Sequence, residues 1–387
     1  MTLDPHRVAG LSTRAIHAGE SLDPSTGAHG VPLYQNTTYG FTSYEQIEAW
    51  EAGAPHFMYA RDGSPTVRCL ELKIADLEGA GAAIGAATGM AAISGTLLHL
   101  VPNGGHLIAS SHLYPVSHRL LCNDLERYGA TVSFVDTSDP DAVEAAITPE
   151  TRAVYVEAFS NPSLFVADLD ALAAITRPRQ IALVVDNTFL SPALLQPIRH
   201  GADLVIHSAT KYISGHGNVV AGVVSGRQEM IAQIAGTLSR LGGTMSPFAA
   251  WTLLNGVKTL PLRVERHSAN ALRLAELLAA HPAVARVSYP GLLDHPHHAV
   301  AKRLVGDRGY GGMVSFHLHG SEAAQRRFIN ALELPTLAVS LSDAGSLIWP
   351  FRGYGSDPQV IRLSVGIEDI ADLEADFEAA LDGIDDV

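Results

Sequence analysis

IALVVDNTFLSPALLQPIRHGADLVIHSATKYISGHGN, residues 181–218, holds two apolar runs of strand length, IALVVDN and DLVIHSA, each ending in polar and small residues. Short apolar runs bounded by turn-forming residues read as strands buried on both faces. The first run ends on Asp186, where an unpaired carboxylate is expensive. Such an aspartate is either a turn or N-cap residue or the partner of a cation. The second run delivers Lys211 into a loop tightened by Gly215 and Gly217 and flanked by the hydroxyls of Ser208 and Thr210. A lone lysine is ordinarily a solvated surface charge. This one leaves a buried-type strand and lies twenty-five residues after Asp186.

Outward from this stretch, strand-like and helix-like patterns alternate. TVRCLELKIADLEG reads as a helix, AAIGAAT as a strand, MAAISGTLLHLV as a helix, GHLIAS as a strand, VSHRLLCNDLERYG as a helix and ATVSFVD as a strand. RAVYVEAF and a helix over 168–176 then lead into IALVVDN. Alternation of this kind predicts an α/β fold, a mostly parallel sheet with helices on both faces. After Lys211, VVAGVVSG continues as a strand and helices are expected over about 227–240 and 247–280, the latter stopped by the proline in HPAV. VARVSYPG, GGMVSFHLHG and VIRLSV read as strands, and EAAQRRFINAL and IADLEADFEAALDGI as helices, of a smaller C-terminal α/β domain. Residues 1–60 are rich in turn formers and predict an extended arm. The expected division is therefore 1–60, 61–255 and 256–387.

The 387 residues carry a formal charge of −14 and 47% hydrophobic residues. No basic cluster is dense enough to neutralise several phosphates, which excludes nucleic acid and anionic membrane as partners. Two cysteines, Cys69 and Cys122, give neither a disulfide framework nor a thiolate metal site. No apolar stretch reaches the roughly 18 residues of a membrane span, so a cytoplasmic protein is expected. The HPHH run at 295–298 lacks a spaced ligand partner and reads as a loop, with no metal expected.

In open α/β sheets, ligands bind where the strands end. TGMAAISG, beginning at Thr88, follows the strand AAIGAAT directly. The N–H groups of Gly89 and Met90 at the helix start suit a dianionic phosphate, although a small-residue turn alone is common. Joined to Lys211, Asp186, Ser208 and Thr210, it forms a set that suits pyridoxal 5'-phosphate. The lysine condenses with the aldehyde, the hydroxyls hold the phosphate and the carboxylate keeps the ring nitrogen protonated.

Six ordered motifs carry a resemblance over essentially the whole chain: YARDGSPT at 59–66, TGMAAIS at 88–94, VEAFSNP at 156–162, VVDNTF at 184–189, SATKYISGH at 208–216 and IRLSVGIED at 361–369. The chain resembles the Cys/Met-metabolism family of pyridoxal-phosphate enzymes, and within it looks most like methionine γ-lyase. The family includes cystathionine synthases and lyases and homoserine-ester sulfhydrylases, all of the aspartate-aminotransferase-like type I fold. The resemblance implies that Tyr114 stacks on the cofactor and acts as acid or base. It implies that Tyr59 and Arg61 reach the phosphate in a neighbouring subunit's site, and that Arg362 grips the substrate carboxylate. Asn161 is similar to a residue that touches the cofactor hydroxyl, and Ser340 to one at the carboxylate end of the substrate. A homotetramer of two dimers with shared active sites is implied as well.

The implied reaction is γ-elimination on a homoserine- or methionine-like amino acid, giving 2-oxobutanoate, ammonia and a leaving group. That group is a thiol or an oxygen-linked one such as the hydroxyguanidine of canavanine. The alternative is γ-replacement, as in acyl-homoserine sulfhydrylases or cystathionine γ-synthase; an aminotransferase or a non-catalytic binding protein is less favoured. The chain departs from the family pattern in VSLSDAGSLIWPFRG. There Ser342 replaces a glycine, Trp349, Pro350 and Phe351 replace a His-Pro segment, and Gly345 stands near the place of a glutamate found in cystathionine-processing members. Val116 also stands where methionine γ-lyases usually carry a reactive cysteine. The loop 340–352 is thereby expected to decide the substrate.

Overall fold

Four parallel pairings and one reversed strand build the larger sheet of the computed structural model, which describes residues 9–351 and 359–384. Its strands are β1 (Ala82–Ala86), β2 (His106–Ser110), β3 (Thr131–Val135), β4 (Thr151–Glu157), β5 (Ala182–Asp186), β6 (Leu204–His207) and β7 (Gly222–Gly226). They lie in the order β1-β7-β6-β5-β4-β2-β3, and only β7 runs against its neighbours. With β1 matching β6 in direction across β7, the parallel strands present their carboxyl ends along one edge. β4 to β6 are almost wholly apolar and buried until their last residues, as expected of strands covered on both faces. This is the mostly parallel, seven-stranded α/β sheet expected, with the cores on its two faces.

Local signals place the covering helices. Ser64 accepts from the Val67 N–H at 3.2 Å ahead of the helix Pro65–Glu78, Pro65 opens it, and Gly79, at φ 70°, ends it in the left-handed region. Thr88 does the same for Gly89–Leu100, accepting from the Ala91 N–H at 2.8 Å. The smaller sheet comprises β8 (Val284–Ser288), β9 (Met313–Leu318), β10 (Thr336–Leu337), β11 (Leu347–Pro350) and β12 (Ile361–Ser364). Its order is β10-β11-β12-β9-β8, antiparallel except for β10 with β11. Phe316, Phe328 and Phe377 fill the core between this sheet and its helices.

Three local expectations differ from the structure. The helix foreseen over 247–280 is two helices, Pro247–Val257 and Leu260–Ala280, separated at Lys258–Thr259. Pro261, in the first turn of the second helix, accounts for the break, since it has no N–H to donate back to the first helix. The expected division near 255 lies beside this break. The helix foreseen over 116–129 changes pitch, from α at Pro115–Arg119 through a π segment Leu120–Leu125 to a 3-10 turn Glu126–Tyr128. The expected arm is not extended throughout. It forms helices at Leu11–His17 and Tyr44–Glu51, and Ala15 and Val31 join the core. Of the expected segments, 1–8, 352–358 (with Arg352 of the substrate loop) and 385–387 lie outside the described residues.

Candidate active site

A cavity of about 340 Å³ opens at the carboxyl edge of the larger sheet, against β11, β12 and the segment before β11. Eleven of the thirteen residues singled out in the sequence line it: Thr88, Gly89, Met90, Tyr114, Asn161, Asp186, Ser208, Thr210, Lys211, Ser340 and Arg362. Tyr59 and Arg61 do not. They lie apart on the surface, with the Arg61 guanidinium 5.1 Å from the Tyr59 ring centroid and 3.7 Å from the Asp62 carboxylate.

One end of the cavity is a phosphate-sized cradle. Gly89 and Met90 open the helix Gly89–Leu100, so their N–H groups have no acceptor within it. A Cβ at Gly89 would meet the Ser208 Cβ at 2.8 Å and Oγ at 2.9 Å. Only glycine lets the helix start come this close to the serine. Thr210 Oγ1 accepts from the Ala221 N–H at 3.0 Å and faces the Ala221 carbonyl at 3.2 Å, which pins the turn before Lys211.

The middle of the cavity is acidic. Asp186 Oδ1 accepts from the Thr188 hydroxyl at 2.5 Å and its N–H at 3.0 Å, while Thr188 Oγ1 accepts from the Ser208 N–H at 2.8 Å. On the neighbouring strand Glu157 stands directly beside Asp186. Burial pushes both carboxyls above the usual range, Glu157 further through the adjoining Asp186 charge. Among the described residues no lysine or arginine forms an ion pair with Asp186. A half-buried carboxylate without a cationic partner fits a protonated ring nitrogen, and a helix start with a closely packed serine fits a phosphate, so these residues suit pyridoxal phosphate.

At the far end, Arg362 on β12 donates from Nη1 to Asn161 Oδ1 at 3.1 Å and from Nη2 to the Ser340 carbonyl at 2.8 Å. Its Nε is buried without a partner, and the Phe351 ring centroid lies 5.7 Å from the guanidinium. Burial lowers the Arg362 pKa to about 10, which leaves it cationic at neutral pH. Lys211 Nζ donates to Ser340 Oγ at 2.6 Å. Burial, reinforced by the Arg362 charge, lowers the amine's pKa to about 8. Both serines of the segment occupy the left-handed region, Ser340 at φ 86° and Ser342 at φ 66°. Ser342 is buried beneath the cavity and does not line it, and neither do Gly345 and Val116; Trp349 and Phe351 do. Val116 faces a separate surface depression with Met90 and Arg119.

The sequence reading passed over Glu157 and Thr188. A signal for Glu157 was present: it ends the apolar strand Thr151–Glu157 as Asp186 ends β5, and the cost of a buried carboxylate applies equally. Thr188 gave none, because its role comes from a three-way contact with Asp186 and Ser208.

A lysine beyond a strand end, a half-buried aspartate ending the neighbouring strand and a glycine-started helix define an enzyme of the type I pyridoxal-phosphate fold. The chain belongs to the Cys/Met metabolism PLP-dependent enzyme family, which matches residues 12–382, and its cofactor is pyridoxal 5'-phosphate. It is 41% identical to the L-methionine gamma-lyase of Pseudomonas putida, covering 97% of this chain and 98% of that one. It is also 41% identical to the cystathionine gamma-synthase of Mycobacterium tuberculosis, covering 97% of both. Among solved structures, metB from Corynebacterium glutamicum superposes with a TM-score of 0.93 at 37% identity over 98% of this chain and 99% of that one. A Campylobacter jejuni chain assigned as an O-acetylhomoserine (thiol)-lyase carries N'-pyridoxyl-lysine-5'-monophosphate. It matches with a TM-score of 0.91 at 30% identity, over 97% of this chain and all of the other.

Proposed function

We propose that the protein catalyses γ-elimination on a γ-substituted, homoserine- or methionine-like L-amino acid, releasing 2-oxobutanoate, ammonia and the γ-substituent. The observation that carries this reading is the charge inventory of the cavity. Among the described residues, its cations are Lys211 and Arg362 and its anions are Glu157 and Asp186. The substrate α-carboxylate uses Arg362, the substrate amine displaces Lys211 from the cofactor aldehyde, and the cofactor ring uses Asp186. A second carboxylate, such as cysteine brings when it replaces a γ-substituent, meets no further lysine or arginine among the described lining residues. The remaining wall, Val339, Leu341, Trp349 and Phe351, is apolar and aromatic. It suits a compact thioether, and its ring faces suit a planar guanidine group.

Bound pyridoxal phosphate supplies an electron sink for the α-carbon. Arg362 orients the substrate by pairing its planar fork with the α-carboxylate, which takes the place of the Ser340 carbonyl. Lys211, with its pKa lowered, accepts the α-proton and returns a proton along the same face. The Ser340 hydroxyl, within hydrogen-bond distance of Nζ, steadies it. Tyr114, across the cavity, donates a proton to the departing group. Asn161 holds both the cofactor side and Arg362. Tyr59 and Arg61 serve the phosphate of a neighbouring subunit, in a tetramer of two dimers, and the protein works in the cytoplasm. Among the described residues no helix is long and apolar enough to cross a membrane.

γ-Replacement is the second reading, favoured by equal identity to a cystathionine gamma-synthase. An assay of 2-oxobutanoate release from methionine, homocysteine, acylhomoserines, cystathionine and canavanine tests the proposal. Release from at least one without added thiol is expected; release from none overturns it.

A further inference from the structure

We propose that Glu157 is a positioning residue: its one buried carboxylate holds, through their main-chain N–H groups, both the loop that carries Tyr114 and the turn that carries Asn161. Glu157 is 6% exposed at the end of β4. Its Oε1 accepts from the Tyr114 N–H at 2.5 Å and its Oε2 from the Asn161 N–H at 3.1 Å. The first loop follows β2 and the second follows β4, so one side chain spans two strand ends. Asn161 in turn meets Arg362. The carboxylate therefore links the phenol on one wall to the guanidinium on the other.

The two bonds are strongest to the anion. A carboxylate accepts on both oxygens, whereas an amide places a donor-only nitrogen on one side and meets one of the two N–H groups donor to donor; a carboxylic acid gives one lone-pair direction to its own proton. Hydrogen bonds to an ionised acceptor are also roughly twice as strong as neutral ones. Burial, and then the charge of Asp186 beside it, disfavour that anion, and neutralisation of Asp186 by a protonated cofactor ring would relieve the second of these. Cofactor binding thus tightens the placement of Tyr114. Misplacement of a catalytic group by about 1 Å costs up to about 10²-fold in rate, so a hold on these two main-chain positions acts on catalysis without touching the reacting atoms.

This inference rests on the role proposed for Tyr114, and two readouts keep the failures apart. In the holoenzyme, Glu157→Gln is expected to lower kcat about tenfold or more with KM changed less than about threefold. In a Tyr114→Phe background the same substitution is expected to cost less than about threefold, because the group it positions is gone. The second readout is the dissociation constant of pyridoxal phosphate for the apoprotein, followed by quenching of Trp349 in the cavity. Glu157→Gln is expected to raise it about three- to tenfold through Asn161, whatever Tyr114 does. An unchanged kcat in Tyr114→Phe alone removes the Tyr114 role and leaves the cofactor readout standing. Losses that multiply in the double variant, or an unchanged dissociation constant, overturn the proposal. A holoenzyme crystal structure with the Tyr114 N–H beyond hydrogen-bond distance of Glu157 overturns it independently of any variant.

Discussion

At the cofactor end of the cavity, Asp186, Thr188 and Ser208 are joined by hydrogen bonds that span at most 20 residues of chain. At the substrate end, Lys211 reaches Ser340 across 129 residues and Arg362 reaches Asn161 across 201. The first set sits at and just beyond the ends of the adjacent strands β5 and β6, whose register fixes it. The second depends on how the smaller sheet is seated against the larger, and it uses two serines at positive φ. On the proposed reading, the first region serves the cofactor and the second the substrate.

Substitutions at the two ends should therefore fail differently. Lys211→Ala, which removes the group common to both regions, is expected to lower 2-oxo acid release by at least about 10³-fold. Asp186→Asn should act on the cofactor end alone. Pyridoxal phosphate affinity of the apoprotein, measured by titration, is expected to weaken by about tenfold or more as a charge-assisted bond becomes neutral. Arg362→Lys should act on the substrate end, raising KM about tenfold or more with cofactor affinity little changed, since an ammonium cannot reproduce the planar fork. Equal effects of both variants on cofactor affinity would erase the distinction.

The pH dependence of cofactor capture probes the contact between the ends. Capture requires the neutral amine, and the Lys211 pKa is lowered from 10.5 to about 8. The capture rate of the apoprotein is expected to rise as pH increases through about 8. In Arg362→Gln the rise should move to higher pH, since a neighbouring positive charge has been removed. The smallest effect is expected at Ser342→Gly. Relief of a left-handed serine at φ 66° should stabilise the apoprotein by about 0.5–1 kcal/mol, read as a higher thermal midpoint. A lower midpoint would mean that the buried hydroxyl, which donates to the Leu341 carbonyl, outweighs the backbone term.

The same contrast explains what the sequence made legible. Apolar strands ending in Asp186 and before Lys211, and a glycine-started helix after β1, are local patterns whose physics is readable in a single segment. The alternation of these patterns sufficed for the sheet. The separation of the helices at Lys258–Thr259 does have a local signal in Pro261, whereas the pitch changes at 120–128 depend on packing that no local pattern records. Ser342 was singled out as a departure near the substrate, yet it lies beneath the cavity. Its neighbour Ser340 carries the contacts, an outcome set by backbone conformation rather than residue type.

The central claim is elimination without an acceptor, and stoichiometry tests it most directly. Ammonia and 2-oxobutanoate are to be measured together from one accepted γ-substituted amino acid, with and without added thiol. The account predicts equal amounts of both products in the absence of thiol. Appearance of a substituted amino acid only when thiol is present, with neither ammonia nor 2-oxobutanoate formed without it, would contradict the account.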